Sequence, residues 1–291
     1  MAFDSMSGFA SCTYSDMSSQ DLPSLPRDAG HAPHGSHSSR APLVRRVSAA
    51  QAARWLLSGW RLFAAHPLQW ILLSVMVFAL MAIISLLIVP VPVFGPMVPP
   101  IVFAILLASL LDTAARQQGG ATPGFADIYS GAMPHLGSLS LIGIFFSIPL
   151  IFLQLLVMLA LAGGLLVGVF GVALGNALSG LLGGLAGFVS TVLAGGAVLL
   201  VLWLLMALIL IFSPALIVFA RCSAFDAMSA SLRASLRNIG PVLLFGLLTY
   251  LFFVVAMAPL GLGVLVFIPV FVGALRQAYL DMFAPAPAAE A

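Results

Sequence analysis

The amino-acid sequence predicts an all-α protein: a polytopic transmembrane helical bundle of six spans, arranged as three units of an interfacial helix followed by a two-span hairpin. From Ile128 to Ala220 the chain contains no Asp, Glu, Lys or Arg, whereas a soluble helix needs a polar face. Only 7% of the 291 residues are charged and 62% are hydrophobic, against about 25% charged residues in a typical soluble domain. If the chain crosses the membrane six times, all eleven basic residues fall on one side, as the positive-inside rule predicts.

The two ends of the chain differ from this apolar body. Residues 1–46 are rich in Ser, Pro, Gly and His, and such a segment buries too little apolar surface to offset its ordering entropy. We therefore expect a disordered tail, cytoplasmic by the positive-inside rule. The membrane domain is expected over 47–283, followed by a loose C-terminal tail over 284–291.

The first unit opens with an amphipathic helix over 49–65. Arg54, Ser58 and Arg61 share one face of this helix at i, i+4 and i+7 spacing. Arginine beside tryptophan is typical of an interfacial helix, because the rings lie among lipid headgroups while the guanidinium groups stay hydrated. The candidate lipid-headgroup contacts in this helix are Arg54, Trp55, Trp60 and Arg61.

Six apolar segments have the roughly 20 residues needed to cross a bilayer. The predicted spans are 68–89, 98–115, 138–161, 192–215, 241–258 and 262–278. Asp112 and Arg116 mark the return to water after the second span, and Pro149 predicts a kink in the third. A short helix around Phe125 to Tyr129 is predicted as the interfacial element of the second unit.

The stretch 163–187 is unusually rich in glycine. Several pairs, such as Gly164 with Gly168 and Gly180 with Gly184, have the GxxxG spacing that is typical of close helix contact. A re-entrant segment or a flexible apolar loop outside the membrane also fits this composition. Arg221 is expected on the same side of the membrane as the other arginines, so the chain must cross the membrane an even number of times over residues 138–220. Two crossings fit the length of this segment. We therefore expect an outer loop or a re-entrant segment.

Residues 221–240 predict a second amphipathic helix. Ser223 and Asp226 have the spacing of a capping box, with Asp in place of Glu. One face carries Asp226, Ser229, Arg233 and Arg237, and the opposite face carries Phe225, Met228, Leu232 and Leu236. We expect Arg233 and Arg237 to contact anionic headgroups.

Five short segments together resemble a known family. They are Trp55–Phe63 with His66 and Pro67, Phe125–Tyr129, Ser213 with Pro214, Ser223–Pro241 and Ala278–Phe283. Their order and spacing resemble a bacterial family of uncharacterised six-span inner-membrane proteins. More distantly, the layout is similar to the membrane domain of some glycerophosphoryl diester phosphodiesterases. The resemblance implies a bacterial inner-membrane location, and it brings no reaction, cofactor or substrate. The positive-inside rule predicts that both termini are cytoplasmic.

No pattern in the sequence predicts an enzyme, a metal site or a cofactor site. The stretch from Asp112 to Asp127 only partly matches the signature of phosphatidyltransferases that use cytidine-diphosphate alcohols, since position 131 is Gly where a further Asp is needed. Proton or ion coupling usually places an ionisable group at mid-membrane, and no predicted span has one there. The net charge of +2 is too small to indicate nucleic acid. We expect a non-enzymatic component that contacts membrane lipid or an unidentified protein partner; the alternative is a transporter or channel for an apolar or neutral substrate.

Two amides within the apolar body are the candidate intramembrane polar contacts, Gln154 and Asn176. Each is expected to form an interhelical hydrogen bond, which is worth about 0.6 kcal/mol within a membrane. Under the transport alternative, they would instead line a substrate path between broken spans.

Overall fold

The computed structural model describes residues 44–88, 95, 97–124 and 131–283, and all regular structure in these ranges is helical. The helices are α1 (Gln51–Ala65), α2 (Pro67–Ile88), α3 (Val98–Gln118), α4 (Leu136–Ala173), α5 (Ala177–Leu210), α6 (Ser213–Ala220), α7 (Ala224–Arg237), α8 (Ile239–Met257) and α9 (Val264–Phe283). Six segments are long and apolar enough to cross a membrane: α2, α3, α4, α5 with α6, α8 and α9. The prediction of an all-α bundle with six spans is therefore confirmed.

The first and third units have the predicted arrangement, an amphipathic helix followed by two spans. They are α1 with α2 and α3, and α7 with α8 and α9. The interfacial helix predicted for the second unit, around Phe125 to Tyr129, lies outside the described residues. A 3-10 turn, Met133–His135, leads into α4.

The segment just before α1 is ordered, so the prediction of a disordered tail is wrong for residues 44–46. The Arg45 backbone N–H donates to the Met282 carbonyl at 3.0 Å. The buried Asn238 side chain holds the same segment, because its amide donates to the Arg45 carbonyl at 2.9 Å and its Oδ1 accepts from the Val47 N–H at 2.9 Å. The rest of the predicted tail, and residues 284–291, lie outside the described ranges.

The glycine-rich stretch over 163–187, predicted as an outer loop or a re-entrant segment, forms a helical hairpin rather than an irregular loop. Helix α4 continues to Ala173, a turn covers residues 174–176, and α5 begins at Ala177. Glycine disfavours helix in isolation, but here it lets two helix backbones touch. A Cβ atom added to Gly180 would lie 2.8 Å from the Gly171 Cα. The close helix contact indicated by the GxxxG spacing is therefore confirmed, and both helices extend well beyond the predicted spans.

The fourth span is broken near its end, beside Pro214. Helix α5 ends at Leu210, and α6 starts at Ser213 with Pro214 in its first turn, a position that tolerates proline because no N–H is needed there. Serines of α7 satisfy backbone groups at the break. Ser231 Oγ donates to the Leu208 carbonyl at 3.1 Å and accepts from the Phe212 N–H at 3.3 Å, and Ser235 Oγ donates to the same carbonyl at 3.1 Å.

Helix α7 has three faces rather than the two predicted. Ser223 is confirmed as the N-cap, because the Asp226 N–H donates to Ser223 Oγ at 3.3 Å. The Asp226 carboxylate accepts from the Ser223 hydroxyl at 2.7 Å, whereas in a capping box it accepts from the backbone N–H. The buried face consists mainly of small residues: Ala224, Ala227, Met228, Ala230, Ser231, Ala234 and Ser235. The large apolar residues Phe225 and Leu236 are exposed on a second face, and Arg233 and Arg237 on a third. The apolar face assigned from sequence is therefore only partly the face that packs on the protein.

Helix α1 crosses α9 at a pair of glycines. A Cβ atom at Gly273 would lie 2.8 Å from the Gly59 Cα, and a Cβ atom at Gly59 would lie 2.9 Å from the Ala274 backbone nitrogen. The two backbones touch because neither glycine carries a side chain. This crossing brings the polar face of α1 beside the last turns of α9.

The hairpin contact predicts a position-specific effect on stability. Gly171→Val would drive a side chain into the Gly180 backbone, and overpacking of this kind typically costs about 1–3 kcal/mol. The free energy of unfolding in a detergent titration, followed by circular dichroism, measures the cost. Gly187→Val is the matched control, because a Cβ atom there meets nothing within 4 Å. Equal destabilisation by the two variants would contradict the contact.

Candidate functional site

A polar groove of about 470 Å³ lies between α1 and the end of α9. Arg54, Ser58 and Arg61 line one wall, as expected from their shared helix face, and Gln277 and Asp281 line the other. Both arginines are exposed, and Arg54 Nη1 donates to Gln51 Oε1 at 3.2 Å. With two guanidinium groups and one carboxylate, the groove has a formal charge of +1 and suits an anionic group.

The Asp281 carboxylate is fixed by two donors at the floor of this groove. Trp55 Nε1 donates to its Oδ2 at 2.7 Å, and Gln277 Nε2 donates to its Oδ1 at 3.0 Å. The Trp55 side chain is fully buried. A buried indole N–H needs an acceptor, and here the acceptor comes from the other end of the chain. The prediction that Trp55 contacts lipid headgroups is therefore wrong, because its ring lies inside the protein.

Other polar side chains join helices at the same end of the bundle. Gln117 accepts a hydrogen bond from Trp70 Nε1 at 2.7 Å and donates to the Leu62 carbonyl at 2.9 Å, which ties α1, α2 and α3 together. Arg276 Nε donates to Gln118 Oε1 at 2.8 Å, and its guanidinium lies 4.9 Å from the centre of the Phe219 ring. These contacts hold the elements around the groove in fixed relative positions.

An apolar cleft of about 410 Å³ lies among α2, α3, α5, α8 and α9. Its lining is rich in aromatic rings, including Phe103, Phe245, Phe267 and Phe271. A second lobe of about 250 Å³ shares Phe103, Phe271 and Ile211 with the first. Cavities of this size and apolar character are typical of sites for small hydrophobic ligands.

The position of the cleft follows from irregularities in the helices that surround it. Ile211, between α5 and α6, lines both lobes, and Pro100 and Pro214 line the second. Gly246 of α8 leaves space in the wall of the first lobe, because a Cβ atom there would meet nothing within 4 Å. Thr249 Oγ1 in the same wall is buried and has no hydrogen-bond partner among the described residues.

One pair of rings separates the polar groove from the apolar cleft. The Trp55 ring lines the groove and meets the Phe245 ring edge to face, with centroids 5.5 Å apart. Phe245 lines the cleft and stacks on Phe271 with centroids 6.3 Å apart. The groove and the cleft are therefore neighbours, and together they form an amphipathic candidate site.

The remaining predicted headgroup contacts lie on exposed surfaces. Trp60 is 50% exposed, which agrees with the location expected of it. Arg233 is exposed and donates to Ser229 Oγ at 3.4 Å, and Arg237 is exposed at the end of α7. Neither residue of this second pair lines the groove. Arg54 and Arg61 thus line the groove, whereas Arg233 and Arg237 lie on an exposed helix face.

The two predicted intramembrane amides are not brought together. Gln154 lies midway along α4, partly buried, and makes no side-chain hydrogen bond to the described residues. Asn176 is exposed in the turn between α4 and α5, and its side chain does not cap α5. Neither forms the interhelical hydrogen bond expected from the sequence, and neither lines the cleft.

Sequence reasoning missed the residues that complete the site. Asp281 and Gln277 belong to one helix face at i, i+4 spacing, which is a usable signal for a polar surface at the end of a span. Their pairing with Trp55 links positions 226 residues apart, and no local pattern reveals such a pairing. In the sequence, the residues that line the cleft have the pattern of an ordinary apolar helix.

No family model, curated protein or solved structure matches the chain. Membership of the six-span inner-membrane family therefore stays a prediction from the resembling segments.

The Trp55–Asp281 hydrogen bond predicts a specific loss of stability. Trp55→Phe keeps an aromatic ring but removes the donor, and hydrogen bonds to charged groups contribute about 1.5–3 kcal/mol. We expect the free energy of unfolding in detergent to fall by an amount of that order. Trp60→Phe is the control, since the Trp60 indole makes no hydrogen bond to the described residues and its ring is half exposed. An unchanged stability of Trp55→Phe would show that the bond contributes nothing net.

Proposed function

We propose that this integral membrane protein is a non-enzymatic lipid-binding component of the bilayer, with the apolar cleft as the site that accepts a hydrophobic chain. The observation that carries the proposal is the cleft itself, an aromatic-lined space of about 410 Å³ among spans. A bilayer surrounds these spans with acyl chains at very high local concentration. A membrane lipid is therefore the ligand whose chemistry fits both the lining and the surroundings.

The proposed location is a bacterial inner membrane, with both termini in the cytoplasm. The resembling segments support the membrane, and the clustering of basic segments supports the orientation. Hydrogen bonds link the segments around Arg45, Arg237 and Arg276 to neighbouring elements at one end of the bundle. Basic residues gathered at one end are what the positive-inside rule predicts for a cytoplasmic face.

Native mass spectrometry of the protein in patches of its own membrane tests the proposal directly. We expect the protein to retain lipid at a fixed ratio after most of the surrounding lipid has been removed. Retention of a stoichiometric protein partner without lipid would instead make the chain an accessory subunit, and the proposal of a lipid site would be rejected.

Filling the cleft should displace the retained lipid. Gly246→Phe places a ring into open space in the cleft wall, so we expect retention to fall at least about tenfold, equivalent to about 1.4 kcal/mol. Gly240→Phe is the matched control: it lies on the same helix, a Cβ atom there also meets nothing within 4 Å, and it does not line the cleft. Undiminished retention in Gly246→Phe, with the fold intact by circular dichroism, would argue against the cleft as the site.

The break in the fourth span favours a second candidate function, transport of an apolar or neutral substrate. Discontinuous spans are typical of transporter binding sites, and Ile211 at the break in the fourth span lines both lobes of the cleft. Dithionite bleaching of fluorescent lipid in proteoliposomes measures movement of lipid between leaflets. Transport predicts faster loss of inner-leaflet fluorescence with the wild type than with Gly246→Phe, whereas binding alone predicts equal rates.

A further inference from the structure

The polar groove and the apolar cleft, taken together, match the two parts of a phospholipid. The groove offers Arg54 and Arg61 to an anionic headgroup, and the cleft beside it offers a dry aromatic wall. Trp55 in the groove lining and Phe245 in the cleft lining are in contact, with ring centroids 5.5 Å apart. Resting on the function proposed above, we propose that one anionic phospholipid occupies both, with its phosphate against Arg54 and Arg61 and an acyl chain in the cleft.

The chemistry of the groove favours a phosphate over a neutral headgroup. Guanidinium groups form charge-assisted hydrogen bonds with phosphate oxygens, and these are among the stronger polar contacts in proteins. The Asp281 carboxylate, which accepts hydrogen bonds from Trp55 and Gln277, offsets only one of the two arginine charges, so the groove keeps a formal charge of +1. The Arg54 guanidinium makes one side-chain hydrogen bond, to Gln51 Oε1 at 3.2 Å, within its own helix turn, so it retains donors for a ligand.

Trp55 sets the boundary between the two halves of the site. Its N–H faces the groove through Asp281, while its ring faces the cleft through Phe245. The α1–α9 crossing at Gly59 and Gly273 packs the helix that carries Trp55 against the helix that carries Gln277 and Asp281. In a membrane, the same change occurs between the headgroup layer and the acyl chains, which is where tryptophan rings concentrate.

The test uses nanodiscs that contain an equal mixture of an anionic and a zwitterionic phospholipid with identical chains. The headgroup class of the retained lipid is read by native mass spectrometry. We expect the wild type to enrich the anionic lipid and Arg54→Gln with Arg61→Gln to lower that enrichment at least about tenfold, with total retained lipid unchanged. An unchanged enrichment in this double variant would overturn the inference and leave the cleft proposal standing.

Arg233→Gln with Arg237→Gln is the comparison, because it removes the same formal charge from an exposed face that does not line the groove. We expect it to change the enrichment less than about twofold, since site contact, rather than net charge, governs a retained lipid. An equal loss in both double variants would show that net charge sets the preference, and the inference would fall.

Two further measurements separate one lipid from other occupants. In Gly246→Phe we expect the retained anionic lipid to be lost. If the zwitterionic lipid is lost while the anionic enrichment persists, the groove and the cleft hold different lipids, and the inference is wrong. Delipidated protein is also incubated with inorganic phosphate alone. A phosphate adduct that Arg54→Gln with Arg61→Gln abolishes would assign the groove to free phosphate instead, whereas no such adduct supports the lipid.

Discussion

The absence of water from the bilayer core is the constraint on which this structure depends. Lipid tails are as apolar as leucine, so burial of apolar side chains gives spans little reason to associate. The chain meets this constraint in two ways. Glycines let backbones touch at the α4–α5 hairpin and at the α1–α9 crossing. Polar side chains such as Gln117, Asn238 and Asp281 join distant segments at one end of the bundle.

The fold class could be predicted because the spans are defined by length and hydropathy, which are local properties. Six spans, two amphipathic helices and the N-cap at Ser223 all follow from local pattern. The hairpin at 163–187 could not be predicted with confidence, because glycine favours either a loop or a close contact, and only the partner backbone decides. Its helicity is a tertiary effect, and the same glycines in a chain without a facing helix would favour a turn.

The candidate site could be predicted only on one of its walls. The shared face of Arg54 and Arg61 follows from helical periodicity, and both line the groove. Tryptophan beside arginine suggested that Trp55 lies at the surface. Instead, its N–H donates to Asp281 and its ring packs against Phe245 inside the protein. Amphipathic residues satisfy their polar end with either lipid or protein. Which of the two applies is decided by the packing of α1 on α9, and a helical wheel of α1 alone does not contain that information.

The α4–α5 hairpin extends beyond the rest of the bundle, and glycine contacts hold its two helices together there as well. Its helices have 38 and 34 residues, or about 57 and 51 Å at 1.5 Å per residue, whereas the hydrocarbon core is about 30 Å thick. Beyond Ala160 no residue of α4 is buried, and in the first half of α5 only Gly180 and Gly184 are. The distal half therefore gains nothing from the other spans and is held by its own glycine contact.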